Sequence, residues 1–426
     1  MGSLVRFKRI SGHIRVSEIY LLQVTGQNDD NPTQEVLDLL SQHHVNVLDI
    51  GQAVIHEALT LGVLLEIPDA SDSLAILESL SDLGEKKKVK LWCNPITVTK
   101  YEEWVSVQGK QRYIVTLLAR KLTAQQIAAV MAVIGSANMV VDNINRLSGR
   151  VPLGGKIPEC SMASVELSVR GAVADFDSLR AQFLRLANEM DMDIAFQQDN
   201  AFRRNRRVVV FDMDSTLIDA EVIDELAIRA GVGSEVSAIT ERAMLGELDF
   251  KDSFTERVAL LKGLKESVIA EVAENLRLNE GAEQLIQILK ALGYKTAIVS
   301  GGFNYFGRFL QQKLGIDYVY ANELEIESGV ITGVVAGQVV DASRKAEIVR
   351  EIATKEKVSL EQVIAVGDGA NDLKMLSIAG LGIAFRAKPL VKETAQHSIS
   401  TLGLDGILYL IGVRDRDRPL LLNGKQ

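Results

Sequence analysis

The chain has 426 residues, 47% of them hydrophobic and 24% charged, the balance of a globular protein long enough for two or three domains of roughly 100–200 residues each. A formal net charge of −9 argues against a nucleic-acid partner, because phosphate backbones select basic surfaces. Two cysteines, Cys93 and Cys160, make neither a disulfide framework nor a metal-ligand spacing, so a reducing cytoplasm is expected.

No uninterrupted apolar run reaches the ~18 residues that a membrane span needs, and no membrane partner is expected. Arg6, Lys8 and Arg9 near the start are not followed by the apolar stretch of a signal peptide. Arg6 also stands where a myristoylation signal has Ser or Thr.

In chain order, apolar strands are expected at 19–24, 46–50, 61–67 and 88–93, with helical periodicity around 33–43 and 72–82. That is a βαββαβ order, assigned to a first domain over 1–95. The glycine-poor segment 96–110 reads as a linker. A second βαββαβ pass occupies 111–199: a strand from Tyr113, a helix at 123–135, strands at 139–147 and 162–170, a helix at 175–189 and a strand at 193–198. The same small ferredoxin-like unit therefore occurs twice. Gly149 to Pro158 fits a long hairpin loop inside the second copy. Arg203, Arg204, Arg206 and Arg207 read as a solvated linker.

From 206 to 411 the pattern becomes continuous apolar strands, at 207–211, 295–300, 363–367 and 381–385, separated by longer helices. Strands buried on both faces indicate a doubly wound, Rossmann-like parallel sheet in an α/β domain. Its ligands belong beyond the carboxyl ends of the strands. Residues from about 220 to 280 are helical in pattern and too long for a simple crossover, so a helical cap over those strand ends is expected. Residues 412–426 form a tail containing Arg414-Asp-Arg-Asp-Arg418.

The first of these strands, in Val208-Val-Val-Phe-Asp-Met-Asp-Ser-Thr-Leu217, ends in Asp212 and Asp214. Alternate residues of an extended chain face one way, so the two carboxylates should meet at one spot. Like charges that close need a cation between them or a proton on one of them. A metal site, an acid/base pair and a simple helix cap all remain open at this point. Ser300-Gly301-Gly302 is expected to close the second strand and open a helix, whose backbone N–H groups would suit a phosphate. Lys345 precedes an amphipathic helix, and Gly367-Asp-Gly-Ala-Asn-Asp372 ends the third strand.

With DMDST, SGGF, the lysine and GDGAND all present in order over 206 to about 410, the chain resembles the haloacid dehalogenase superfamily of phosphotransferases, and within it the phosphoserine phosphatase family. The resemblance implies hydrolysis of O-phosphoserine, the last step of serine biosynthesis. It implies that Asp212 attacks phosphorus to give an aspartyl phosphate, and that Asp214 serves as general acid and then base. Mg²⁺ is implied at Asp212, Asp368 and the backbone carbonyl of Asp214, with Asp372 supporting from behind. Ser300, Gly301, Lys345 and Asn371 would hold the phosphoryl oxygens. In the cap, Glu221 would take the substrate ammonium and Arg257 its carboxylate, with Met244 and Phe250 packing over it.

The tandem N-terminal units resemble ACT-type regulatory domains, through their element order and through Thr25-Gly-Gln-Asn-Asp-Asp-Asn-Pro32 at the first strand–helix turn. Thr33 follows the proline where that family has Gly, and the second copy's turn, Ala119-Arg-Lys-Leu-Thr123, has neither Gly nor Pro. Serine is the implied effector, and a homodimer is expected. A fragment starting near Arg203 is expected to fold and retain hydrolysis. The competing readings are a related phosphatase for another small phosphomonoester and an amino-acid-sensing protein with secondary phosphatase activity.

Overall fold

The computed structural model describes residues 5–6, 16–29, 31–68, 73–106, 109, 111–150, 161–245 and 247–423. They form two compact units, 1–110 and 111–426. In the first, β1 (Val5–Arg6), β2 (Val16–Gln27), α1 (Pro32–Gln42), β3 (Asn46–Ile55), β4 (Ala58–Ile67), α2 (Ser73–Lys87) and β5 (Lys90–Ile96) build an antiparallel sheet in which β4 and β5 flank β2 and β3 lies outside β4. Val24, Leu61, Val63 and Leu65 point from the sheet onto Val36, Leu40, Ile76 and Leu80 of the two helices.

The β3–β4 hairpin is longer than the sequence signal. β3 has almost no buried side chain, so it lacks the apolar alternation that marks a strand. Its turn, His56-Glu57, puts His56 at φ 58 without the usual Asn or Gly. The expected linker contains a helix, α3 (Val98–Ser106), started by Thr97 Oγ1 accepting from the Lys100 N–H at 3.3 Å.

The second unit begins with β6 (Arg112–Ala119), α4 (Ala124–Ser136), β7 (Val140–Arg146), β8 (Ala163–Arg170), α5 (Phe176–Glu189) and β9 (Asp193–Gln198). Their sheet order, β7-β8-β6-β9, repeats the β3-β4-β2-β5 order of the first copy. Of the hairpin loop expected at 149–158, residues 151–158 lie outside the described residues.

Next comes a seven-stranded sheet with order β13-β12-β11-β10-β14-β15-β16. Its strands are β10 (Val208–Phe211), β11 (Lys295–Phe303), β12 (Tyr318–Glu327), β13 (Val330–Ala336), β14 (Val363–Gly367), β15 (Leu381–Phe385) and β16 (His397–Ile399). All neighbours run parallel except β12 and β13. Alternation sends Val209, Phe211, Ile364 and Val366 to one apolar face and Val208, Val210, Val363 and Ala365 to the other. Helices α6 (Val222–Ala230), α7 (Gly233–Met244), α8 (Phe250–Ala259) and α9 (Glu266–Asn275) form the insertion after β10. Helices α10 (Ala282–Ala291), α11 (Asn304–Leu314), α12 (Ala342–Lys355), α13 (Leu373–Ile378) and α14 (Pro389–Thr394) connect the strands. Strand order reverses at β10, which lies between β11 and β14, and open sheets of this kind bind ligands at that switch point.

The arginine cluster is solvated at Arg204 and Arg207, which are exposed, but not at its other two members. Arg203 and Arg206 are buried; Arg203 pairs with Glu166 of β8, and Arg206 donates to Gln197 Oε1 and the Gly380 carbonyl. Asp193 accepts from the N–H groups of Ser400 and Thr401, both at 2.9 Å. Leu118, Leu147 and Ala195 share a core with Phe211 and Ile364. The second βαββαβ copy thus packs as part of the parallel-sheet domain. The tail is also built in: Arg418 is buried, paired with Asp405 and Asp415, and Asp415 accepts from the Gly149 N–H at 2.6 Å.

Candidate active site

The site grows from the chain's exit from β10. Asp212 Oδ1 accepts from the next N–H at 2.7 Å, so part of the helix-cap reading holds. Residues 213–217 then make one tight turn in which Ser215 has φ 54, a left-handed conformation costing a non-glycine residue roughly 1–2 kcal/mol. Asp212 and Asp214 therefore meet through a turn and not through strand alternation. Asp214 Oδ1 accepts from the N–H of Val222, the first residue of α6. Asn279, buried, grips the turn from outside: its Nδ2 donates to the carbonyls of Ser215 (3.3 Å), Thr216 (2.9 Å) and Ile218 (3.1 Å). Ile218 and Leu278 form an antiparallel bridge, the two ends of the cap insertion side by side. Nothing in the sequence singles out Asn279, because Asn279-Glu-Gly281 reads as an ordinary turn ahead of a helix.

Beneath Asp212 lies Lys345, with no solvent exposure, 2.8 Å from Asp212 Oδ2 and 2.7 Å from Asp372 Oδ1. Asp341 caps α12 by accepting from the Arg344 N–H, which fixes the turn carrying the lysine. Asp372 Oδ2 accepts from the N–H groups of Asp368 (3.1 Å) and Gly369 (3.0 Å). Thr216 Oγ1 donates to Asp368 Oδ1 at 2.9 Å. Burial pulls the Lys345 ammonium down, but the two carboxylates outweigh it and hold it charged. Burial, then the charges of Asp212 and Asp372, pushes Asp368 up to about 7. Burial and Asp212 push Asp372 to about 7 against the pull of Lys345.

Asp212, Asp368 and Asp372 each offer an oxygen within 4.8 Å of the others. Three crowded carboxylates against one lysine leave excess negative charge, which a hard cation would neutralise. Both oxygens of Asp372 have donors, as do both oxygens of Asp212, from the Met213 N–H and Lys345, whereas Asp368 is bonded through Oδ1, by Thr216.

The register of β11 on β12 slips between Val299 and Phe303, a bulge that takes Ser300, Gly301 and Gly302 out of the ladder. Ser300 Oγ accepts from the Gly302 N–H at 2.9 Å. The strand continues to Phe303 and the helix starts only at Asn304, so the glycines do not open it. A Cβ on Gly302 would stand 2.4 Å from Asp214 Oδ2, and one on Gly301 would stand 3.0 Å from the Phe250 ring. Asn322, also missed, accepts from the Val340 N–H at 2.8 Å and donates to the Gly301 carbonyl at 2.7 Å. Asn371 sits in the turn after β14, half-buried.

The cap supplies the rest. Ser215 Oγ donates to Glu221 Oε1 at 2.7 Å, and burial raises the Glu221 carboxyl against the lowering effect of that bond. Burial, then the charges of Glu221 and Asp212, holds the Asp214 carboxyl well above its usual range. Arg257 on α8 bonds the Ser253 carbonyl and Thr240 Oγ1. Burial lowers its guanidinium, offset by Asp224, Glu221 and Asp214. Among the described residues no carboxylate is in ion-pair contact with it. Phe250 stacks on Phe254 with a centroid distance of 5.9 Å. Met244 is the last residue of α7.

Residues 206–380 match the haloacid dehalogenase-like hydrolase model and residues 18–93 the ACT domain model. A phosphoserine phosphatase of Mycobacterium tuberculosis is 37% identical over 394 residues, covering 92% of this chain and 93% of that one. The chain belongs to the phosphoserine phosphatase family of haloacid dehalogenase-like hydrolases. Within that family, the phosphoserine phosphatase of Archaeoglobus fulgidus is 50% identical over 250 residues, 59% of this chain and 73% of that one. The crystal structure of a probable phosphoserine phosphatase from Vibrio cholerae, in unliganded form, matches with a TM-score of 0.55 and 33% identity, over 74% of this chain and 89% of that one. The resemblance carried by DMDST, SGGF, Lys345 and GDGAND, and the α/β fold class with N-terminal βαββαβ units, are borne out. In this phosphatase no described helix is long and apolar enough to cross a membrane.

Proposed function

We propose that this phosphatase hydrolyses O-phosphoserine to serine and phosphate, the last step of serine biosynthesis, through an aspartyl phosphate on Asp212. The observation that carries the proposal is the contrast between two acids two residues apart. Asp212 is ion-paired to a buried lysine, whereas Asp214 is pushed well up by burial and neighbouring charge. Acids whose environments differ in this way divide the labour of nucleophile and proton donor. Asp212 attacks phosphorus in line, and the serine oxygen leaves with the Asp214 proton. Asp214, now ionised, takes a proton from the water that hydrolyses the acyl phosphate. Ser300, the Gly301 N–H, Lys345 and Asn371 hold the phosphoryl oxygens. Mg²⁺ bound by Asp212, Asp368 and the Asp214 backbone carbonyl, with Asp372 behind, would neutralise the charge that acids and phosphate share.

Specificity comes from the cap. Arg257, partly buried and without a carboxylate partner among the described residues, is suited to grip the substrate carboxylate through paired hydrogen bonds, while Glu221 takes the ammonium. Phe250 and Met244 close over the short substrate. A panel of small phosphate esters tests the reading: phosphoserine should be turned over with the highest kcat/KM. A preferred ester lacking either the ammonium or the carboxylate would overturn it.

We propose further that serine acts as effector through the ACT domain at 18–93. The chain is also proposed to form a homodimer, for which the exposed edge strand β3, with Val47, Ile50 and Val54 exposed, offers a pairing surface. A free thiol at Cys93 is consistent with the cytoplasm.

A further inference from the structure

Residues 279–281, where the cap insertion returns to the parallel-sheet domain, are held from several directions at once. Asn279 grips the turn after Asp214 through three carbonyls. The backbone carbonyl of Glu280 accepts from the Leu404 N–H at 2.7 Å. Glu280 Oε2 accepts from Arg386 at 2.8 Å and from Arg120 at 2.6 Å. Gly281 has φ 78, and a Cβ there would stand 2.2 Å from Asp405 Oδ1, so a side chain has no room at this position.

Arg120 reaches this junction from the second βαββαβ copy. It stands immediately after β6, in the strand–helix turn where the first copy carries Thr25–Pro32. In the second copy that turn ends in Thr123 capping α4, and its arginine is directed at Glu280. We infer that Arg120 is a positioning residue for the phosphatase reaction: through Glu280 it fixes Asn279, and thereby the turn that carries Asp214 and Thr216. The inference rests on the proposed roles of Asp212 and Asp214.

The pair itself contributes little to stability, since both side chains are about one-third exposed and such pairs are screened. Its effect is geometric. Ser215 sits in a strained conformation, and the Asn279 side chain holds the carbonyls of Ser215, Thr216 and Ile218, while its own N–H donates to the Leu217 carbonyl at 2.9 Å. Without Arg120, the Glu280 carboxylate is drawn to Arg386 alone and the peptide joining it to Asn279 shifts. Catalysis is sensitive to displacements well under 1 Å at the reacting groups.

The test uses the full-length enzyme with phosphoserine. Arg120→Met should lower kcat about five- to tenfold, leave KM within about twofold and shift the Tm by no more than about 2 °C; Arg120→Lys should recover most of the loss. In an Asn279→Ser background, Arg120→Met should cost little more, because both act on one element. Glu280→Gln approaches the same link from the other side and should reproduce the kcat loss. Unchanged kcat in Arg120→Met, or equal losses in both backgrounds, overturns the inference. Wild-type enzyme that fails to turn over phosphoserine overturns the functional reading instead.

Discussion

Lys345 Nζ lies 2.7 Å from Asp372 Oδ1, and neither side chain has any solvent exposure. A buried charge left without its partner costs roughly 3–5 kcal/mol, so Lys345→Met should be destabilised by about that much and inactive. The loss should depend on pH. Without the lysine, Asp372 rises above its present value of about 7, and a carboxyl raised in the folded state binds more protons there than in the unfolded chain. Stability then falls as pH rises from about 4 through that higher value. Urea melts in metal-free buffer should therefore place the variant nearer to wild type at pH 5.5 than at pH 8. A loss independent of pH would mean that the lysine acts through packing alone.

Asp212→Asn should abolish turnover with the fold intact, since the amide keeps the volume but is a poor nucleophile. Asp214→Asn should retain the nucleophile yet lose about 10²–10⁴-fold in kcat. Rapid denaturation during turnover, followed by mass spectrometry, should find a phosphoryl group on Asp212 in the wild type and none in Asp212→Asn. Steady hydrolysis by pure Asp212→Asn would sink the covalent route.

The strands that hold these acids were legible because β10, β14 and β15 are buried along their whole length and so read as unbroken apolar runs. The β12–β13 hairpin was not, because its strands are half-exposed and give no clean period. Arg203 and Arg206 were misread for a related reason. A cluster of arginines in sequence looks solvated, and their partners, Glu166, Gln197 and Gly380, come together only through the packing of two sheets. Motifs at strand ends carry their own chemistry in their residue types. Asn279 carries none until the cap folds back beside Ile218.

Arg257→Ala should weaken kcat/KM for phosphoserine far more than for phosphoethanolamine, which lacks the carboxylate. Removing one side of a desolvated charge pair costs about 3–5 kcal/mol, so the ratio of the two losses should reach at least about a hundredfold. Equal losses on both esters would make Arg257 a structural residue of α8, held by Ser253 and Thr240.

Metal affinity should track the protonation of Asp368. In the metal-free protein its carboxyl is pushed to about 7, and a ligand oxygen must be unprotonated to bind Mg²⁺. Below pH 7 a proton competes, so affinity measured calorimetrically should drop about tenfold per pH unit between 6.5 and 5.5 and level off above about 7.5. Thr216→Val should extend the drop upward, because the Thr216 hydroxyl lowers the Asp368 pKa. Affinity that is flat from pH 5.5 to 8 would exclude Asp368 as a ligand.

The place to divide the chain is before Arg112. A cut near Arg203 would strip Glu166 and Gln197 from two buried arginines and uncover core shared by Leu118, Leu147 and Ala195 with Phe211. It would also remove Arg120 from Glu280. Residues 111–426, in contrast, form one compact unit with every proposed catalytic group inside it. This fragment should be soluble and hydrolyse phosphoserine with kcat within about threefold of the whole chain, whereas a fragment from 203 should be poorly soluble or melt at least about 10 °C lower. Serine, as product, can inhibit either form by occupying the active site, so the informative quantity is the difference between the two inhibition curves. Effector inhibition requires serine to bind two conformations of the enzyme unequally, and it should disappear with residues 1–110 while product inhibition remains. Identical serine curves for the whole chain and for 111–426 would leave the ACT domain at 18–93 without a part in serine control.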